Sequence, residues 1–133
     1  MSCTDETVGH TTVKSCLVVD DSRVVQKVAR RILEGLGFAV DAAEDGELGL
    51  AACRQGMPKV ILLDWNMPVM NGIDFLRALR GIDGGDAPVV VFCTTMSDIR
   101  YIQEGLGAGA DDYIIKPFDA DILKEKFSNL GLL

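Results

Sequence analysis

Six polar residues stand where apolar runs stop, and their side chains together suit one kind of chemistry. "CLVVDDS" ends on Asp20 and Asp21, and "VILLDWNMPVMNG" carries Asp64 directly after Val60-Ile61-Leu62-Leu63. "VVVFCTT" ends on Thr94 and Thr95, and "YIIKPF" places Lys116 after an apolar pair. Apolar runs of this kind seek burial, whereas a carboxylate loses much by leaving water. Each run therefore anchors a strand and delivers a polar group at its end. Three carboxylates brought together repel one another, and one keeps its proton unless a cation joins them. An oxygen-only set without histidine or thiolate favours a hard cation, Mg²⁺ above all, with Mn²⁺ next. Lys116 adds an ammonium and Thr94 a hydroxyl donor. A nucleophilic carboxylate, a divalent cation, an ammonium and a hydroxyl are the groups that phosphoryl transfer needs, because negative charge there lies on the oxygens around phosphorus.

The elements that must position these groups alternate along the chain. Residues 15–20, 38–43, 59–64, 89–94 and 112–116 read as strands. Residues 22–36, 46–55, 73–80, 98–107 and 119–130 read as helices. Ser22 and Asp119 are expected caps, Gly35 and Gly37 stop the first helix, and Gly72 opens the third. The expected inward residues are Val25, Val28, Ala29, Ile32, Leu33 and Leu36 in the first helix and Phe75, Leu76 and Leu79 in the third. In the fourth they are Ile99, Ile102 and Leu106, and in the last Ile122, Leu123, Phe127 and Leu130. Five strand–helix alternations predict a doubly wound α/β fold: a five-stranded parallel sheet with right-handed crossovers and helices on both faces. In such a sheet the ligand crevice lies beyond the carboxyl ends of the strands, so Asp20, Asp21, Asp64, Thr94 and Lys116 share one edge. Lys116 must turn back into that crevice immediately after its strand, which predicts a cis Lys116–Pro117 bond.

Composition narrows the field. A chain of 133 residues suits one domain, here 15–133, preceded by a polar, unpatterned segment 1–14 expected to be a flexible tail that holds His10. The net charge of −7 argues against nucleic-acid binding. No apolar run reaches the ~20 residues of a membrane span, and no leader-like segment opens the chain, so a soluble cytoplasmic protein is expected. The four cysteines, Cys3, Cys16, Cys53 and Cys93, lack metal-site spacing, and Cys16 and Cys93 read as core.

Taken together, "VVDDS", "LLDWNMPVMNG", "CTT" and "YIIKPF" resemble the receiver domains of bacterial two-component response regulators, most closely the single-domain chemotaxis type, over residues 15–130. The resemblance implies a flavodoxin-like receiver fold with strand order 2-1-3-4-5. It implies that Asp64 is the phosphoacceptor, that Asp20 and Asp21 bind the metal, and that the main-chain carbonyl of Asn66 completes the protein's ligands. It further implies that Thr94 and Lys116 hold the phosphoryl oxygens and that Tyr113 turns inward when Thr94 moves. On this basis the chain is a stand-alone, monomeric regulator. It catalyses only its own phosphorylation and dephosphorylation and then switches a downstream protein at the face formed by helix four, strand five and helix five. A histidine kinase or histidine phosphotransfer protein would dock near the first helix, where Arg23, Lys27 and Arg30 form a basic stripe with Val24 at its edge. That stripe has a plainer account as a solvated face. Trp65 is either a packed aromatic or a rim residue that senses the metal.

Two positions depart from the common family pattern. Thr95 stands where a small residue is frequent, and Met96 where a polar one is. With Asn66, they are expected to govern the approach of water to the phosphoryl group. A degenerate receiver acting as a constitutive scaffold would have lost a site residue, and none is missing. A Mg²⁺-dependent aspartyl phosphatase of the haloacid-dehalogenase type would carry a second acid at position 66, where asparagine cannot transfer protons.

Overall fold

The computed structural model describes residues 14–133, apart from the side chains of Met96 and Ser97. His10, Cys3 and the other residues of the expected tail up to position 13 lie outside the described residues. The first strand begins at Lys14, one residue inside that tail.

Five strands, β1 (Lys14–Val19), β2 (Phe38–Ala43), β3 (Val60–Asp64), β4 (Val89–Thr94) and β5 (Asp112–Ile115), form one parallel sheet. Its order is β2-β1-β3-β4-β5, the doubly wound arrangement expected. The helices are α1 (Arg23–Gly35), α2 (Gly46–Gln55), α3 (Gly72–Arg80), α4 (Ile102–Gly107) and α5 (Ala120–Asn129). A 3₁₀ helix, Met96–Tyr101, precedes α4.

Alternate strand residues point to opposite faces, which divides the core in two. Cys16, Val18, Leu62, Val91 and Cys93 pack with Ala29 and Leu33 of α1 and Leu123 and Phe127 of α5. Leu17, Val19, Ile61, Leu63 and Phe92 pack with Leu50 and Cys53 of α2 and Phe75, Leu76 and Leu79 of α3. Cys16, Cys53 and Cys93 are buried free thiols. Four helices start on side-chain caps: Ser22 accepts from the Val25 N–H, Asp45 from Leu48, Asn71 from Asp74 and Asp119 from Ile122. Each satisfies an amide that has no partner in its helix.

Some residues expected inward face solvent. Val28 is 43% exposed because only Ala29 and Leu33 of α1 are fully buried on the sheet. Ile99 and Leu106 are also exposed. The segment predicted as one helix over 98–107 instead opens in 3₁₀ form. Ile99 lies within the 3₁₀ helix and stays exposed, whereas Ile102 opens α4 and is buried. Ile122 sits one residue before the buried pair Leu123 and Phe127 and stays exposed. Among the described residues, no helix is long and apolar enough to cross a membrane.

Candidate functional site

β1 stops at Val19, so Asp20 and Asp21 lie in the loop beyond it. Asp20 is fixed from several sides. Its N–H donates to the Ala43 carbonyl at 3.0 Å, and its own carbonyl accepts from Gln26 Nε2 at 2.6 Å. Its Oδ1 accepts from the Ser22 N–H at 2.9 Å, and its Oδ2 accepts from Lys116 Nζ at 2.7 Å. The residue is only 2% exposed, and these bonds replace the water it has lost. Asp21 is exposed.

Asp64 is the last residue of β3 and lies opposite Cys93 of β4. Its Oδ1 is 3.2 Å from Lys116 Nζ. Gly72 holds the backbone there: a Cβ on it would come within 2.2 Å of the Asp64 carbonyl oxygen. Lys116 follows β5 directly, its N–H donates to the Thr94 carbonyl at 2.7 Å, and the Lys116–Pro117 bond is cis as expected. The single ammonium thus bridges Asp20 and Asp64. Thr94 is buried, and its hydroxyl donates to the Thr95 carbonyl at 3.4 Å, a long and weak bond.

Asp20, Asp21 and Asp64 each offer an oxygen, and these three atoms lie within 4.8 Å of one another. One ammonium faces three carboxyl groups. The imbalance shows in the protonation of Asp64, whose pKa is pushed up to about 6 by burial first and by the charge of Asp20 next, against the pull of Lys116. Burial pulls the Lys116 pKa down, but its hydrogen bond to Asp20 and the charges of Asp64 and Asp20 outweigh this and raise it. A divalent cation among the three acids would remove the imbalance, and the all-oxygen donor set fits a hard one.

The remaining expected residues are more dispersed. Asn66 is exposed and donates from Nδ2 to Asp98 Oδ2 at 2.9 Å. Thr95 Oγ1 donates to the same oxygen at 3.2 Å. Met96, expected beside the approach of water, has its side chain outside the described residues. Tyr113 lies opposite Phe92, half-buried, with Lys126 Nζ 5.5 Å from its ring centroid. Trp65 takes the packed reading: it is 8% exposed, stacked on Tyr101 at 5.4 Å between centroids and tilted against Phe92 at 5.0 Å. The basic stripe on α1 is partly occupied. Arg23 pairs with Glu44 at 3.3 Å, and Arg30 donates to the Val40 carbonyl at 2.6 Å. Lys27 is exposed.

Sequence reasoning missed Asp98, Gly72 as a support for Asp64, and Gln26 as a brace for Asp20. Thr95-x-x-Asp98 has the spacing of a capping pair, and that signal could have drawn attention to Asp98.

A family model described as the response regulator receiver domain matches residues 16–128, and the chain belongs to that family. The chain is 36% identical over 115 residues to a chemotaxis protein CheY of Pseudomonas aeruginosa, covering 86% of this chain and 93% of that protein. It is 42% identical over 102 residues to the DNA-binding response regulator MtrA of Mycolicibacterium paratuberculosis, covering 77% of this chain but only 44% of that protein. A solved structure of the Vibrio cholerae chemotaxis response regulator CheY4 superposes with a TM-score of 0.83 at 31% identity, covering 90% of this chain and 99% of the other.

Proposed function

We propose that this receiver domain accepts a phosphoryl group on Asp64 from a histidine kinase or histidine phosphotransfer protein and thereby switches the binding of a downstream protein. The observation that carries the reading is the ammonium of Lys116 held between Asp20 at 2.7 Å and Asp64 at 3.2 Å, beside the exposed carboxylate of Asp21. Asp20, Asp21, Asp64 and the main-chain carbonyl of Asn66 would hold Mg²⁺, or Mn²⁺ in its place, which supplies positive charge to the transferring oxygens.

An Asp64 oxygen attacks phosphorus, the bond to the donor nitrogen breaks, and an acyl phosphate forms. Lys116 then turns from pairing with a carboxylate oxygen to pairing with a phosphoryl oxygen. The weak hydroxyl bond of Thr94 is easily exchanged for one to the phosphoryl group. That inward movement leaves room for Tyr113, so phosphorylation shifts a population that exists beforehand.

The donor's face is read as α1. There Val24, Val25 and Val28, with Pro117 and Phe118, line an open apolar groove of about 450 Å³ that reaches Lys116. Arg23, Val24 and Lys27 are exposed on the same helix. The downstream partner is assigned to the face of α4, β5 and α5, where Leu106 of α4 and Ile122 of α5 are exposed.

Incubation with acetyl phosphate and Mg²⁺, followed by intact-mass measurement, tests the assignment. One phosphoryl group should appear, labile to hydroxylamine and lost with EDTA or in Asp64→Asn. Labelling of the Asn variant at the wild-type rate would sink it.

A further inference from the structure

Asp98 gathers two groups from different loops, one just after the phosphoacceptor Asp64 and one just after Thr94. Its Oδ2 accepts from Asn66 Nδ2 at 2.9 Å and from Thr95 Oγ1 at 3.2 Å. Its own N–H donates to the Thr95 carbonyl at 3.0 Å, which fixes the carboxylate at the start of the 3₁₀ helix. Asn66 follows Asp64 by two residues, and Thr95 follows Thr94. One carboxylate oxygen therefore ties the loop after β3 to the loop after β4.

We propose that Asp98 is a positioning residue that slows loss of the phosphoryl group from Asp64, acting through Asn66. The proposal rests on phosphoryl acceptance at Asp64. Hydrolysis needs a water in line with the bond from Asp64 to phosphorus. That water's oxygen joins phosphorus, the acyl oxygen–phosphorus bond breaks, and Asp64 returns as a carboxylate with inorganic phosphate released. A side-chain amide near the water speeds this step only if it is free to orient the water. Asp98 takes one donor of the Asn66 amide and turns the group toward the 3₁₀ helix. Thr95, drawn to the same oxygen, closes the other side. The bonds are charge-assisted, and two donors on one acceptor hold better than one. Their partners are partly exposed, so the effect is modest in size.

The test follows decay of the phosphorylated protein after removal of acetyl phosphate, in Mg²⁺ at fixed pH. Asp98→Ala should speed decay roughly threefold to tenfold, the kinetic equivalent of releasing one hydrogen bond. Asp98→Asn keeps an oxygen acceptor and should decay within about twofold of wild type. In an Asn66→Ala background, adding Asp98→Ala should change nothing further. A loosened loop would instead speed decay in that background too, and such a result would overturn the proposal. So would unchanged decay in Asp98→Ala.

The side-chain amide signals of Asn66 in the unphosphorylated protein give a second readout. They should move in Asp98→Ala and hold in Asp98→Asn, and no movement would refute the clip itself. A wild-type protein that takes no label would remove the phosphoacceptor reading and this inference with it, and is recognised before any decay is compared.

Discussion

Asp64 sits where its proton is favoured, and this sets a sign for stability. Its folded pKa of about 6 lies above the usual 3.8, so the folded protein holds a proton that the unfolded chain has already released between those values. Stability therefore falls as pH rises through that window and stays lowered above it. Asp64→Asn should raise the melting temperature of the metal-free protein at pH 7 by a few degrees, on the order of 1 kcal/mol after allowing for screening by water. At pH 4 the two proteins should melt nearly together. Thermal melts in EDTA check this, and a lower melting point for the variant at pH 7 would contradict it. Val69 is a second strained residue. Its φ is 68°, a value rare for a β-branched side chain, inside a tight turn closed by the Met70 N–H on the Pro68 carbonyl at 2.7 Å. Its side chain is 74% exposed, so little packing offsets the strain. Val69→Asn should stabilise by about 1 kcal/mol, seen as a higher urea midpoint at unchanged slope. Asp20, Asp64 and Lys116 were legible because each closes an apolar run. Asp98 and Gly72 were not, because contacts between loops leave no period in the sequence.

At the scale of elements, strands and helices were legible wherever a cap or turn residue marks the end. α2 and α3 run from Gly46 to Gln55 and from Gly72 to Arg80, matching the expected helices to within a residue. The 3₁₀ opening of the fourth helix was not legible, because the spacing of Ile99, Ile102 and Leu106 fits either winding. Arg80 shows how an element's end can tie down others. Its guanidinium donates to the carbonyls of Gly85 at 2.7 Å, Pro88 at 2.9 Å and Gly109 at 2.7 Å, and meets Asp111 at 3.4 Å. It thereby joins the end of α3 to the loops entering β4 and β5. Arg80→Ala should cost about 2–4 kcal/mol by urea denaturation, because several loop carbonyls lose a charged donor together. Arg80→Lys should recover less than half, since an ammonium cannot span the fork. Full recovery in the lysine variant would show that charge alone suffices.

For the whole molecule, alternation gave parallel strands and two covered faces, whereas the order 2-1-3-4-5 came only from the family resemblance. Apolar runs encode burial, not adjacency. The order matters because it sets β1 beside β3 and sends β2 to the sheet edge, so the ends of β1, β3, β4 and β5 surround one crevice. The two-sided core also equips the protein with internal clocks. Cys16 and Cys93 lie in one layer and Cys53 in the other. Burial holds the thiols in the unreactive protonated form: it raises Cys16, lifts Cys93 to about 12 and lifts Cys53 to about 11. In a Cys3→Ser background, a thiol reagent should therefore find no fast-reacting group in native buffer and three in urea. At saturating reagent each native rate becomes an opening rate, read separately for each layer. If Cys53 reacts before Cys16 and Cys93, the α2–α3 side breathes first, and if all three react at one rate, the sheet opens as a unit.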